Sequence, residues 1–291
     1  MKIIRPISPL QQRMREDMQI RNYSPHTIDG YLRYAGRFAK HYGVSPDQLG
    51  PEHIRAYQLH LLQQQVSESI FIQTVCALRF LYETTLDRPW MVDYIPYPKK
   101  PKKLPIILSH GEVNALLRAP RHLKPRLILA TLYTTGLRAA ELCRLQGTDI
   151  DSKRMVIHVR QGKGKRDRQV GLSPDLLPLL RHYWKCYGLQ SWLFPGHRIT
   201  EPITPDGLWF LCQKAGQDAQ IKKAVYPHLI RHTYATHLLE AGMDLRSIQL
   251  LLGHATLRST SIYLHVANPA LRSTQGSLGA LTLPPHLDQL P

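Results

Sequence analysis

The sequence has few of the features that mark secreted, disulfide-linked or metal-stapled proteins. Its 291 residues include only four cysteines, which stand far apart and form no CxxC pair. Neither a disulfide framework nor a zinc ribbon is therefore indicated. Each cysteine lies among apolar residues and is expected to be a small buried thiol. The four are Cys76, Cys143, Cys186 and Cys212.

Long apolar runs are also missing. No segment is long and apolar enough to predict a membrane-spanning helix, and no Lys/Arg-rich amphipathic helix is evident. Residues 1–19 lack the apolar core of a signal peptide. We therefore expect a cytoplasmic protein without membrane association.

Acidic residues are scarce relative to basic ones. The chain has 38 Lys+Arg against 21 Asp+Glu, a net charge of +17, and a pI of about 9.9. This excess favours a polyanionic partner, because each phosphate contact releases condensed counterions. The alternative is a protein that is basic without such a partner. With 43% hydrophobic residues, the chain is otherwise ordinary and long enough for two domains.

Motifs for nucleotide or metal chemistry are absent as well. The sequence contains no GxxxxGK followed by Ser or Thr, and no HExxH. His232 and His237 are five residues apart, on different faces of a predicted helix. No carboxylate cluster accompanies the histidines, which makes a metal-dependent nuclease a weak alternative. We expect no cofactor and no metal site.

Residues 1–95 are predicted to form a small helical domain. Apolar residues recur there at helical spacing, Ser24 before Pro25 is a typical helix start, and Gly43 is a typical stop. The predicted helices are Met14–Ile20, one from Ser24-Pro25 to near Gly43, one after Pro51, and Ser69–Glu83.

Residues 96–104 are predicted to be an interdomain linker. The prolines stiffen an extended segment, and its four lysines are unsuited to burial. Such a charge run is often only a solvated surface, but the basic balance of the chain favours contact with phosphate. The lysines are Lys99, Lys100, Lys102 and Lys103.

Residues 105–275 are predicted to form a second, mainly helical domain with a small antiparallel sheet. Ser109 and Glu112 form a capping-box pattern at its first helix. Residues 276–291 form a Gly/Leu/Pro-rich tail without a clear pattern. The other predicted elements are helices Pro125–Thr135, Arg138–Leu145, Asp175–Tyr187 and Gly207–Ala219, and strands Met155–Arg160 and Arg168–Leu172.

The segment Pro227–Val266 carries the strongest chemical signal. His228 and Arg231 stand three residues apart at the start of a predicted helix, His254 follows a helix-stopping glycine, and Tyr263 lies nine positions further on. Arginine presents a planar fork to phosphate oxygens, histidine moves protons near neutral pH, and tyrosine can act as a covalent nucleophile. The set suits an attack on phosphate.

Two further segments belong with this set. A glycine turn presents Arg138 at a helix start, and Glu141 one turn later can hold its guanidinium. In the predicted hairpin tip, Lys163 lies between two glycines that allow close backbone approach to a ligand. Lys165 and Arg166 continue this basic tip. Taken singly, each residue suits a surface position equally well; the ordered set does not.

The ordered set resembles the tyrosine recombinase family, also called the phage integrase or Xer-like family, over nearly the whole chain. The resemblance implies a two-domain, C-shaped DNA clamp, with a helical, SAM-like core-binding domain and a catalytic domain. By motif, the implied catalytic residues are Arg138, Lys163, His228, Arg231, His254 and the nucleophile Tyr263, supported by Glu141. The basic linker and hairpin tip supply the expected DNA contacts, Lys99, Lys100, Lys102, Lys103, Lys165 and Arg166.

The resemblance also implies a mechanism. Tyr263 forms a 3′-phosphotyrosyl bond while Arg138 and Arg231 stabilise the transition state. Lys163, with Lys165 as second candidate, protonates the leaving 5′-oxygen. His228 accepts the phenol proton, and His254 donates to or positions the phosphate.

The implied partners are double-stranded DNA with specific recombination sites, further protomers in a synaptic homotetramer, and accessory proteins. Two alternatives stay open: a type IB topoisomerase-like enzyme and a non-catalytic DNA-binding relative. Two positions depart from the family pattern, since Ile230 replaces leucine and Ala139-Ala140 follows the first arginine. The proline-interrupted tail also puts a docking C-terminal helix in doubt.

Overall fold

The chain divides into two compact units, Met1–Lys102 and Lys103–Pro291, each with its own hydrophobic core. The structure is a computed structural model. It describes residues 8–98, 104–160, 167–188, 191–254 and 256–267.

Within its described residues, the first unit contains four α-helices, as the sequence predicts. The hydroxyls of Ser8, Ser24 and Ser67 accept hydrogen bonds from first-turn N–H groups, which would otherwise lack partners. A π-helical turn at Leu81–Thr85 follows the fourth helix, so the α-helical part of predicted Ser69–Glu83 ends at Phe80. The helices are α1 (Pro9–Ile20), α2 (Pro25–Tyr42), α3 (Pro51–Gln63) and α4 (Glu68–Phe80).

The core of this unit comes from the apolar faces of its helices. Met18, Phe38, Ile54 and Leu78 are fully buried. Tyr82, in the π-helical turn, is buried as well, and its hydroxyl donates to the Pro46 carbonyl at 2.9 Å. This bond satisfies a polar group that would be costly to bury alone.

The second unit contains eight α-helices within its described residues, together with a small sheet. The predicted capping box is confirmed, because Ser109 and Glu112 exchange hydrogen bonds at the start of α5. The helices are α5 (His110–Arg118), α6 (Leu123–Thr135), α7 (Ala139–Cys143), α8 (Leu176–Tyr187), α9 (Pro205–Asp218), α10 (Pro227–Glu240), α11 (Leu245–Leu252) and α12 (Leu264–Ala267).

Three antiparallel strands form the sheet in the order β1-β2-β3. They are β1 (Ile150–Asp151), β2 (Val156–Val159) and β3 (Arg168–Gly171). The mainly α fold with a small antiparallel sheet is thus confirmed. The two-residue β1 escaped prediction because it is too short to show alternation.

Two hydrophobic clusters pack this unit. The larger includes Leu132, Ile157 and Phe194, all fully buried. The smaller consists of Ala235, Ile248, Leu252 and Tyr263. It brings α10 and α11 against the short 3-10 turn Ser261–Tyr263, and so fixes where the tyrosine ring lies.

All four cysteines are free thiols. Cys143 and Cys212 are buried as expected, but Cys186 is exposed on α8, so the prediction of a buried thiol is wrong there. Its side chain lies on the solvent face of an amphipathic helix, 3.4 Å from His182 Nε2. No helix among the described residues is long and apolar enough to cross a membrane.

Candidate active site

Arg138 and Glu141 meet at the start of α7. Gly136 ends α6 with φ at 61°, and the chain then turns so that Arg138 becomes the N-cap of α7. The helix is therefore shorter than the predicted Arg138–Leu145. The Glu141 carboxylate accepts both the Arg138 backbone N–H and its guanidinium, each at 2.8 Å.

A second arginine shares the same carboxylate. Arg168, the first residue of β3, donates to both Glu141 oxygens at 2.7 Å. Burial alone would raise the pKa of Glu141, but the hydrogen bonds and charges of Arg168 and Arg138 lower it to about 2. The carboxylate is thus ionised at neutral pH and anchors two cations.

Arg231 is the fifth residue of α10 and is only 1% exposed. Its guanidinium donates to the Gly136 carbonyl and, at 2.6 Å, to the Leu252 carbonyl. Burial and the charge of Arg138 lower its pKa to about 10, so it stays charged at neutral pH. Its Nε is buried and has no hydrogen-bond partner among the described residues.

Three guanidinium groups converge on the C-terminus of α11. Arg168 donates to the Leu251 carbonyl at 3.0 Å, Arg231 to that of Leu252, and Arg138 to that of Gly253 at 2.8 Å. These carbonyls have no partners within the helix and carry its partial negative charge. We call this arrangement the arginine clasp. It fixes the chain immediately before His254.

Two histidines lie beside the Tyr263 ring, and a third contacts one of them. The Tyr263 hydroxyl lies 3.0 Å from His232 Nδ1. The His254 ring is nearly parallel to the Tyr263 ring, at 18° and 6.3 Å between centroids, and its Nδ1 lies 2.9 Å from the Thr260 hydroxyl. The His228 ring meets that of His232 edge-on at 4.3 Å.

The histidines are neutral near pH 7. Burial and nearby arginines lower the pKa of His228, and burial with neighbouring charges lowers those of His232 and His254 to about 4. Burial raises the pKa of Tyr263, although Arg231 and Arg138 offset part of this effect. The phenol is therefore protonated in the DNA-free protein.

The structure brings together Arg138, Glu141, His228, Arg231, His254 and Tyr263, all singled out from the sequence. It adds three residues that the sequence analysis did not place in the site: Arg168, His232 and Thr260. The sequence marks Arg168 only as the start of a predicted strand, and His232 only as a possible metal ligand. The predicted residues Lys163, Lys165, Arg166, Lys99, Lys100, Lys102 and Lys103 lie outside the described residues.

A different group of potential metal ligands lies outside this set. One ligand atom each from His110, His237 and Glu240 lies within 4.8 Å of the others. The rings of His110 and His237 stack, with 3.9 Å between centroids and 23° between planes. A single ion could not lie in both ring planes at bonding distance, so this arrangement does not form a metal site.

The chain matches known families over both units. Residues 107–269 match the family described as "Phage integrase family", and residues 10–91 match "Phage integrase, N-terminal SAM-like domain".

Similar proteins span nearly the whole chain. It is 48% identical over 281 residues to "Putative integrase/recombinase y4qK" of Sinorhizobium fredii, covering 96% of this chain and 91% of that protein. It is 35% identical over 265 residues to the tyrosine recombinase XerA of Thermococcus kodakarensis, covering 89% and 91%.

Solved structures share the fold. A crystal structure of XerA recombinase matches with a TM-score of 0.55 and 30% identity, covering 92% of this chain and 97% of that one. The Tn1549 transposon integrase in complex with transposon right end DNA matches with a TM-score of 0.70 and 18% identity, covering 94% and 99%.

Proposed function

Because this chain belongs to the phage integrase family and is a site-specific DNA recombinase, we propose that Tyr263 is the nucleophile with which it cuts DNA. The observation that carries the proposal is the position of the Tyr263 phenol. It lies among neutral imidazoles and close enough to Arg138 and Arg231 for their charges to act on its pKa.

In the proposed step, the Tyr263 oxygen attacks a backbone phosphorus. A bond forms between that oxygen and phosphorus as the bond to the 5′-oxygen breaks. The products are a 3′-phosphotyrosyl bond and a 5′-hydroxyl. The covalent bond preserves the energy of the phosphodiester, so the reverse attack by a 5′-hydroxyl from another strand rejoins DNA.

Arg138 and Arg231 are proposed to bind the nonbridging phosphate oxygens. Negative charge accumulates there in the transition state, and donors that strengthen their bonds at that point accelerate the step. The buried Arg231 Nε supports this role, because a donor that has no partner among the described residues is suited to an arriving anion.

Proton transfers are assigned to the remaining groups. His228 is the proposed acceptor of the phenol proton, and its pKa is less strongly lowered than that of His232, which makes it the better base. The phenol oxygen would keep its place beside His232 as the phosphate binds, and its O–H would turn towards His228 only as the proton is transferred. Lys163 would protonate the 5′-oxygen, with Lys165 as second candidate, and His254 would donate to a phosphate oxygen.

The proposed partner is double-stranded DNA that carries specific recombination sites. The net charge of +17 supports binding to a polyanion. The lysines at 99, 100, 102 and 103, with Lys165 and Arg166, are proposed phosphate contacts. Exchange of strands between two DNA sites would engage four protomers, with accessory proteins as further proposed partners.

The proposal is tested by Tyr263→Phe on a nicked suicide substrate, from which the cut strand diffuses away. We expect normal DNA binding and no covalent adduct, because the variant loses only the attacking oxygen. Tyr226→Phe is the matched control, since Tyr226 is exposed and directly precedes α10. An adduct that survives in Tyr263→Phe would assign the nucleophile to another residue.

A further inference from the structure

His232 lies beside the reacting oxygen although it is not among the residues that carry the family resemblance. It follows Arg231 in α10, and its Nδ1 lies 3.0 Å from the Tyr263 hydroxyl across 31 residues of sequence. Among the described residues, His232 is the side chain within hydrogen-bond distance of the Tyr263 hydroxyl.

The ring of Tyr263 is held by packing, but packing does not orient its hydroxyl. The side chain is 1% exposed and belongs to a cluster with Ala235, Ile248 and Leu252. A phenol hydroxyl in such a place needs a polar partner, because burying it alone costs free energy. The ring therefore has a fixed place, and the direction of the O–H depends on His232.

The direction of this hydrogen bond follows from the protonation states of both groups and from the partners that the phenol has. Burial and the charges of His228 and Arg231 lower its pKa to about 4, so the imidazole is neutral at pH 7. The Tyr263 phenol keeps its proton at this pH and has no other acceptor among the described residues, so it donates to the Nδ1 lone pair. His232 then carries its own proton on Nε2.

We propose that His232 is a positioning residue that fixes the Tyr263 hydroxyl by accepting its hydrogen bond at Nδ1. The inference rests on the proposed function of Tyr263 as nucleophile. The bond holds the oxygen in one place beside the arginines before DNA arrives, which favours a productive angle of attack. His232 does not have to take the proton; it has only to accept the bond.

Replacing His232 by asparagine or by glutamine distinguishes a role as hydrogen-bond acceptor from a general packing role. The Oδ1 of asparagine lies near the position of a histidine Nδ1, whereas the polar end of glutamine lies nearer to Nε2. Three variants are therefore compared with wild type in single-turnover adduct formation at saturating DNA: His232→Asn, His232→Gln and His232→Leu. Thermal unfolding and DNA affinity are measured for each.

We expect His232→Asn to retain at least half of the wild-type rate. His232→Leu and His232→Gln should lose about tenfold or more, the scale of one lost hydrogen bond, with DNA affinity unchanged. A wild-type rate in His232→Leu would overturn the proposal, and so would an equal loss in Asn and Gln. If the leucine variant does not fold, the comparison of His232→Asn with His232→Gln still tests the proposal.

Failure of this inference is distinguishable from failure of the proposed function. Tyr263→Phe forms an adduct only if Tyr263 is not the nucleophile, whatever the result at position 232. The ¹⁵N chemical shift of His232 gives a second readout in the same protein. Its Nδ1 signal should move in Tyr263→Phe, and an unchanged signal would show that no such bond exists.

Discussion

At the scale of single residues, Glu141 carries the negative charge nearest to three guanidinium groups. It binds Arg138 and Arg168 directly, and its charge also acts on Arg231. Without this carboxylate, the arginines would repel one another in a partly dry site, where charges are weakly screened. One acidic side chain thus supports both the fold and the cationic pocket.

We predict that Glu141→Gln loses stability and most of the adduct-forming activity. The folded-state pKa of Glu141 is lowered from 4.5 to about 2. The stabilisation it contributes, on the order of 3 kcal/mol, is therefore complete above about pH 4.5 and is lost as pH falls towards 2. Chemical unfolding of both proteins from pH 7 to pH 3 measures this difference.

The exposed Glu83 provides the control for that experiment. Glu83→Gln should unfold with nearly the wild-type free energy over the same pH range. If the gap between wild type and Glu141→Gln stayed constant down to pH 3, the carboxylate would not be the source of the stability.

Spacing along the chain is enough to predict a candidate site residue when the residue that it pairs with is close in sequence. Arg138 and Glu141 are three apart, and His228 and Arg231 share one helical turn, so a single sequence suffices to pair them. Arg168 reaches Glu141 across 27 residues and His232 reaches Tyr263 across 31. Such contacts depend on the packing of separate elements, and no local pattern encodes them.

At the scale of secondary-structure elements, the C-terminus of α11 links the three guanidinium groups of the arginine clasp. Gly253 ends this helix with φ at 62°, in the left-handed region that favours glycine. A Cβ at this position would also lie 2.9 Å from Arg168 Cδ. The glycine therefore serves both the turn and the arginine clasp.

We predict that Gly253→Ala destabilises the protein and lowers adduct formation at least tenfold, because it adds a clash to the backbone strain. Gly188→Ala is the matched control, since Gly188 ends α8 with φ at 57° and has open space around it. Backbone strain alone should cost about 1–2 kcal/mol there. Thermal unfolding and the suicide-substrate assay are measured for both variants. Equal losses of stability and activity in Gly253→Ala and Gly188→Ala would contradict a role of Gly253 in the arginine clasp.

Helices were predicted from the sequence more completely than strands. Serine caps, prolines in the first turn and stopping glycines are local signals, and they locate α2, α5 and α6 to within a few residues. The strand β1 has two residues and gains its identity only from pairing with β2. The pairing with β2, and not the composition of β1, makes these two residues a strand.

At the scale of the whole molecule, the excess of positive charge predicts how DNA binding responds to salt. The logarithm of the affinity should fall linearly with the logarithm of salt concentration, with a slope near −0.9 per phosphate neutralised. Replacing Lys99, Lys100, Lys102 and Lys103 by alanine should reduce that slope by up to about 3.6. Binding titrations between 50 and 300 mM salt, about the usable range, measure it.

An equal change of charge elsewhere separates local contact from net charge. Four exposed lysines outside the linker are replaced by alanine, and a smaller change in slope is expected than for the linker lysines. An equal change in both proteins would assign the effect to overall charge. The control positions are Lys40, Lys153, Lys185 and Lys214.

The Nε of Arg231, which has no acceptor among the described residues, has a thermodynamic consequence for the resting enzyme. A buried N–H without an acceptor lowers the free energy of unfolding, typically by about 1–3 kcal/mol. An oxyanion that reaches this nitrogen restores the missing bond and binds only the native fold. Inorganic phosphate or a short oligonucleotide should accordingly raise the melting temperature by more than chloride at equal ionic strength, a signature of linkage between anion capture and folding.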